Sequence, residues 1–125
     1  MAQARVLYIE DYPVVQTMYV EVLQKEFEVD VASDGKEALE KVKQNRYDVI
    51  LLDLLLPQMT GLEFLRAYNE GGHQDAKTRI IVLSDFDNPA TRTDVQKLGV
   101  SDYWIKVENT PHVLVDKLKE TLAAS

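Results

Sequence analysis

The sequence predicts an α/β protein: a doubly wound sheet of five parallel strands with five helices on its two faces. Five short apolar runs alternate with five segments whose apolar residues recur at helical spacing. Glycine and proline residues mark the boundaries of these segments. The run Val49–Leu55 is apolar at every position except Asp53, as expected for a central strand buried on both faces.

The predicted strands are rich in valine, isoleucine, leucine and aromatic residues, which suit a pleated, buried sheet. Such runs are short enough to be strands, and helical segments separate each from the next. The five predicted strands are Arg5–Ile9, Phe27–Ala32, Val49–Leu55, Ile80–Leu83 and Tyr103–Val107.

Three of the predicted helices begin at a proline. Pro13, Pro89 and Pro111 each stand at a first helical position, where the missing amide hydrogen is not needed. Asn88 and Thr110 precede two of these prolines as N-cap residues. These signals predict the starts of the first, fourth and fifth helices.

Glycine marks most of the other helix ends. Asp34 and Gly35 open the second helix, whereas Gly71 and Gly72 close the third. Gly99 closes the fourth helix in the same way.

The composition fits one globular domain that spans residues 1–125. Apolar residues make up 46% of the chain and charged residues 28%, the usual balance for a folded protein. The last predicted helix runs almost to Ser125, so no linker or second domain is expected. Because the chain has no cysteine, disulfides, thiolate metal sites and cysteine nucleophiles are excluded.

The formal charge is −7, with 21 acidic residues, 14 basic residues and no cluster of lysine or arginine. Direct nucleic-acid binding is not expected, because neutralising phosphates requires clustered positive charge. A metal cation or a basic protein partner suits this balance better. No apolar run is long enough for a signal peptide or a membrane span, which favours a cytoplasmic location.

A carboxylate inside an apolar strand needs a cation, because an unpaired buried charge costs several kcal/mol. In open α/β sheets, functional groups gather beyond the carboxyl ends of the strands. Glu10 and Asp11 follow the first predicted strand, Asp53 ends the third, Ser84 follows the fourth and Lys106 ends the fifth. We therefore expect these side chains to meet at one edge.

Three carboxylates without thiols or imidazoles form an all-oxygen site of the kind that Mg²⁺ prefers. Lys106 adds a second positive charge beside Asp53. A divalent metal, a lysine and a hydroxyl group beside a carboxylate are suited to handling a phosphoryl group.

The combined pattern resembles the response-regulator receiver domain of two-component signalling. The matching pieces are the acidic pair Glu10 and Asp11, the segment DLLLPQMTG that begins at Asp53, Ser84 after IIVL, and Lys106 at the end of SDYWIK. The resemblance covers essentially the whole chain. It implies a flavodoxin-like fold with strand order 2-1-3-4-5.

The resemblance also implies roles for the acidic residues. Asp53 would be the residue that accepts a phosphoryl group from a histidine kinase or a phosphotransfer protein. Glu10, Asp11, Asp53 and the main-chain carbonyl of Leu55 would surround Mg²⁺. The domain would be an acceptor with at most slow hydrolysis of its own aspartyl phosphate, not an enzyme.

By the same resemblance, Lys106 would pair with one phosphoryl oxygen and Ser84 would donate its hydroxyl to another. Tyr103 would rotate inward as Ser84 moves. The switch would alter a partner-binding face formed by the fourth helix, the fifth strand and the fifth helix, and this face could also join two copies in a homodimer.

Three residues depart from the family pattern. Val107 replaces the usual cis proline after Lys106, so we expect a trans bond there. Asp85, after Ser84, replaces a small residue and would repel anionic phosphodonors. Leu56 replaces a methionine of similar volume, and we expect little effect.

Two apolar residues are expected to slow loss of the phosphoryl group. By resemblance, Leu55 and Phe86 flank the path of the hydrolytic water, and neither side chain can orient a water molecule. We therefore expect a long-lived phosphoaspartate.

Two alternatives remain open from the sequence. A flavodoxin-like flavin-binding protein would need a phosphate-cradling loop after the first strand, where IEDYPVV supplies acids and a proline. A degenerate receiver-like interaction module would not use phosphate, and Asp85 and Val107 keep this alternative open.

His73 and His112 are interpreted as surface residues.

Overall fold

The computed structural model describes residues 3–72 and 77–124 of the chain. Five parallel strands form one sheet in the order β2-β1-β3-β4-β5, which confirms the predicted topology. Each predicted strand is present, with ends that differ by up to three residues. The strands are β1 (Arg5–Ile9), β2 (Glu28–Ala32), β3 (Val49–Leu52), β4 (Arg79–Ser84) and β5 (Asp102–Ile105).

Five α-helices connect or follow the strands, as predicted, and a short 3₁₀ helix that was not predicted follows β5. The three prolines occupy first helical positions. The helices are α1 (Pro13–Leu23), α2 (Gly35–Gln44), α3 (Gly61–Glu70), α4 (Pro89–Lys97) and α5 (Pro111–Ala123), with the 3₁₀ helix at Lys106–Glu108.

The predicted helix caps are mostly confirmed. Asp34 and Asn88 cap α2 and α4 by accepting backbone N–H bonds with their side chains. Thr110 occupies the N-cap of α5 but forms no side-chain capping bond. Gly71 is the C-cap of α3, and Gly99, at φ +92°, follows α4 in the left-handed region that glycine favours.

Two apolar layers cover the sheet, one on each face. Helices α2, α3 and α4 pack on one face through residues such as Ala38, Phe64 and Val95. Helices α1 and α5 pack on the other, where Leu23 and Leu118 are fully buried. The central strand β3 is buried at every position, as its composition predicted.

The prediction that the third strand continues to Leu55 is wrong, because β3 ends at Leu52. The N–H of Asp53 still bonds to the carbonyl of Ile9, but the N–H of Leu55 does not continue this pairing with β1. Leu55 donates its N–H to the Asp53 side chain, which competes with the sheet, and Leu55 is 61% exposed. Asp53 therefore lies at the start of a turn and not inside a strand.

The predicted fifth strand is also too long, because β5 ends at Ile105. Lys106 begins the 3₁₀ helix, and Val107 donates its N–H to the Asp85 side chain instead of a neighbouring strand. No peptide bond is cis among the described residues, in agreement with the trans bond expected at Val107.

Some expectations concern residues outside the described ranges. His73 and Ser125 lie there, so the surface position predicted for His73 stays a prediction. His112 is exposed, as expected. In residues 3–72 and 77–124, no helix combines the length and the hydrophobicity needed to cross a membrane.

Gly61, the first residue of α3, packs directly on the backbone of the turn that holds Asp53. A Cβ atom at Gly61 would lie 2.7 Å from the Cα of Leu54 and 2.8 Å from the carbonyl oxygen of Asp53. We predict that Gly61→Ala lowers the free energy of unfolding by about 1–3 kcal/mol, as overpacking does, in urea denaturation.

Gly35→Ala is the matched control, because Gly35, like Gly61, is the buried first residue of a helix. Its added Cβ would lie 2.8 Å from the sulfur of Met59, whose flexible side chain can move aside. A loss for Gly35→Ala equal to or greater than that for Gly61→Ala would contradict the prediction.

Candidate functional site

The carboxyl ends of the strands bring the predicted site residues together at one edge of the sheet. Glu10 directly follows β1 and Asp53 directly follows β3. Ser84 is the last residue of β4, and Lys106 directly follows β5. Hydrogen bonds connect all four side chains, so their predicted convergence is confirmed.

Asp53 is only 7% exposed, yet both of its carboxylate oxygens have partners. Its Oδ1 accepts hydrogen bonds from the Ser84 hydroxyl at 3.0 Å and from the N–H of Leu55 at 3.1 Å. Its Oδ2 accepts one from the Lys106 ammonium at 2.7 Å. Lys106 is therefore the cation that a buried carboxylate in this position requires.

Lys106 also binds Glu10, with 2.6 Å between Nζ and Oε1. The other oxygen of Glu10 accepts the N–H of Tyr12 at 3.1 Å, and the residue is 2% exposed. Burial raises the pKa of Glu10, and the Lys106 ammonium opposes this rise. Burial alone would lower the pKa of Lys106, but Asp53 and Glu10 outweigh it and raise the pKa, so the lysine stays charged.

Glu10, Asp11 and Asp53 each offer a carboxylate oxygen, and these oxygens lie within 4.8 Å of one another. Three carboxylates and one ammonium leave a net charge of about −2 when all are ionised. This all-oxygen donor set and its charge fit a hard divalent cation such as Mg²⁺. The role predicted for the Leu55 carbonyl stays a prediction.

Hydrogen bonds and an ion pair hold the segment after Ser84 in place. The Ser84 hydroxyl accepts the N–H of Phe86 at 3.2 Å, and the carbonyl of Phe86 accepts the hydroxyl of Tyr103. Arg92, on α4, places its guanidinium 4.3 Å from the centre of the Tyr103 ring and pairs with Asp87 at 2.6 Å. The aromatic residue predicted to act with Ser84 therefore contacts the segment that carries Ser84.

Asn109 was missed from the sequence, although it supports the turn that carries Lys106. It is buried, and its side-chain amide donates to the carbonyl of Ile105 at 2.7 Å. Its own carbonyl accepts the hydroxyl of Tyr19 at 2.7 Å, and its side-chain oxygen accepts Lys117 at 2.9 Å. The sequence shows an asparagine three residues after the lysine, but not its burial or its partners, which lie on β5, α1 and α5.

Tyr8, two residues before Glu10 on β1, also brings a polar group into the interior. Its hydroxyl is buried without a hydrogen-bond partner within the part of the chain that the structure describes. Burial and then the Glu10 carboxylate raise the pKa of Tyr8, so the phenol stays neutral and adds no charge to the site.

Comparison with known proteins identifies the family. Residues 6–119 match the family model described as response regulator receiver domain. Response regulator ArlR of Staphylococcus saprophyticus is 33% identical over 103 residues, which cover 82% of this chain and 45% of that protein. The regulatory protein SphR of Synechococcus elongatus is 34% identical over 113 residues, which cover 82% of this chain and 43% of that protein. The chain thus spans less than half the length of these curated relatives.

Solved structures show the same fold. The chemotaxis protein CheY4 of Vibrio cholerae superimposes with a TM-score of 0.85 at 31% identity, covering 95% of this chain and 98% of that one. The family-model match, the strand order and the acidic edge of the sheet all indicate the same family. The chain belongs to the response regulator receiver domain family of two-component signalling.

Proposed function

We propose that Asp53 is the residue that accepts a phosphoryl group, from a phosphohistidine on a histidine kinase or a phosphotransfer protein. One observation carries this proposal: the Asp53 carboxylate is held by Lys106 at 2.7 Å and by Ser84 at 3.0 Å, beside the acidic pair Glu10 and Asp11. These groups can transfer their contacts to phosphoryl oxygens as charge develops there.

In the proposed step, a carboxylate oxygen of Asp53 bonds to phosphorus while the bond between phosphorus and the histidine nitrogen breaks. The nitrogen keeps the electron pair and takes up a proton. Lys106 and Ser84 then pair with two of the phosphoryl oxygens. The protein mainly positions charge, because a loose phosphoryl-transfer transition state needs little further chemistry.

The proposed cofactor is Mg²⁺, held by Glu10, Asp11, Asp53 and the main-chain carbonyl of Leu55. When bound, the cation supplies positive charge that offsets repulsion between the carboxylates and the incoming phosphoryl group. Glu10 would exchange part of its contact with Lys106 for the metal, because Lys106 occupies its Oε1 at 2.6 Å. The geometry disfavours a module that never uses phosphate, since the three carboxylates, the Ser84 hydroxyl and the Lys106 ammonium lie together.

We expect phosphorylation to change the face formed by α4, β5 and α5. Tyr103 contacts the segment that follows Ser84 and lies under Arg92, so movement of that segment reaches this face directly. The face could bind a partner or a second copy of the chain. We propose that the domain comprises residues 1–125 and works in the cytoplasm, where phosphohistidine is formed from ATP.

The first prediction from the proposed function concerns the acceptor. Incubation with acetyl phosphate and Mg²⁺ should add one phosphoryl group by intact mass, and Asp53→Asn should abolish the addition. Chelation of Mg²⁺ should also prevent it, since repulsion at the carboxylates is then not offset.

Asp102→Asn is the matched control, because Asp102 is exposed at the opposite end of β5 from Lys106. It should label like the unmodified protein. Full labelling of Asp53→Asn, or labelling that chelation does not reduce, would refute the assignment of Asp53.

The second prediction concerns the charge balance. Lys106→Met leaves Glu10 and Asp53 buried without their shared cation. When a chelator removes Mg²⁺, this variant should therefore have a free energy of unfolding about 2–4 kcal/mol lower than the unmodified protein. Added Mg²⁺ should restore more stability to this variant than it adds to the unmodified protein. Urea denaturation with and without Mg²⁺ measures both effects.

Lys119→Met is the control for removing a lysine, because Lys119 pairs with Glu26 at the surface, 3.0 Å apart. An exposed pair contributes at most about 1 kcal/mol. If Lys106→Met is no more destabilising than this control, Lys106 does not offset the buried carboxylates.

The third prediction concerns the lifetime of the phosphorylated state. Leu55 and Phe86 are 61% and 39% exposed, so apolar side chains stand at the solvent side of the site. After removal of the donor, a Leu55→Asn, Phe86→Glu double variant should lose its phosphoryl group severalfold faster, because polar groups can orient a water molecule.

A Leu55→Met, Phe86→Leu double variant keeps both positions apolar and should decay like the unmodified protein. Decay of the unmodified protein as fast as that of the polar variant would show that these side chains do not exclude water.

A further inference from the structure

A hydrogen bond joins two residues beside the site, one directly after β4 and one in the 3₁₀ helix that follows β5. Asp85 follows Ser84, and Val107 follows Lys106. The N–H of Val107 donates to Oδ1 of Asp85 at 2.7 Å, a short distance for a bond to a carboxylate. The direct neighbours of the two side chains that bind Asp53 are therefore joined.

This bond completes the attachment of the segment after β4. Ser84 bonds to Asp53, Phe86 bonds to Tyr103 on β5, and Asp87 bonds to Arg92 on α4. Asp85 connects this segment to the turn that carries Lys106. Strands β4 and β5 are paired as far as Ser84 and Ile105, and the bond from Val107 to Asp85 extends this connection beyond the ends of both strands.

Resting on the proposed function, we infer that the hydrogen bond between Asp85 and Val107 is a clasp that holds Ser84 and Lys106 in position for phosphoryl transfer. Asp85 acts as a positioning residue, since its carboxylate is directed to a backbone N–H. Fixing donors before the reaction avoids the cost of ordering them in the transition state.

The clasp and the repulsion expected from the sequence assign opposite roles to the Asp85 side chain. Repulsion of anionic donors depends on its negative charge, which salt screens. The clasp depends on its ability to accept a hydrogen bond, which salt affects little and which an asparagine retains. The two roles therefore predict different results for substitution by alanine and by asparagine.

The test compares Asp85→Ala, Asp85→Asn and Glu108→Ala in the full chain. Glu108→Ala removes an exposed negative charge next to Val107 and leaves the clasp intact. We expect labelling by acetyl phosphate to be about threefold to tenfold slower for Asp85→Ala, at low and at high salt, as loss of one such bond implies. Asp85→Asn should label within about twofold of the unmodified protein.

A second measurement does not depend on phosphorylation. Amide hydrogen exchange at Val107 in the unphosphorylated protein should be faster in Asp85→Ala and nearly unchanged in Asp85→Asn, because only alanine removes the acceptor. Faster exchange together with slower labelling in Asp85→Ala alone supports the clasp.

Other results overturn the inference. Faster labelling of both Asp85 variants, with a gain that salt removes, would show that charge repulsion dominates. Equal labelling rates in all variants would show that the bond positions nothing. No labelling of the unmodified protein would overturn the proposed function as well, so the two failures are distinguishable.

Discussion

The ammonium of Lys106 between Glu10 and Asp53 is the interaction on which the site depends. Two nearly buried carboxylates at the end of a sheet would each carry a large desolvation cost without a cation. Lys106 reaches both because parallel strands deliver their carboxyl ends to one edge, with β1 and β3 adjacent in the sheet. The same arrangement leaves excess negative charge, and a divalent metal can neutralise it.

Much of the architecture could be predicted because it follows from local rules. Apolar periodicity located all five strands and helices, and proline fixed three helix starts. The site could be predicted from the fold, since residues that follow parallel strands must share an edge. Glu10, Asp53 and Lys106 accordingly meet, although 96 positions separate the first from the last.

What could not be predicted depends on contacts between distant residues. Leu54 and Leu55 are apolar and predict that the third strand continues past Asp53, whereas the Asp53 side chain accepts the N–H of Leu55 and starts a turn. The Asp85 carboxylate likewise binds Val107, 22 positions away, and the fifth strand ends before it. A single sequence shows each residue type but not which side chain will take a given backbone donor.

The most direct test of this account is a high-resolution structure of the chain with beryllofluoride and Mg²⁺. The account predicts beryllium bonded to an Asp53 oxygen, with Lys106 and Ser84 contacting separate fluorine atoms and Asp11 contacting the metal. Beryllofluoride bound elsewhere would contradict it. So would fluorine atoms that face solvent while Lys106 keeps its contacts with both Glu10 and Asp53.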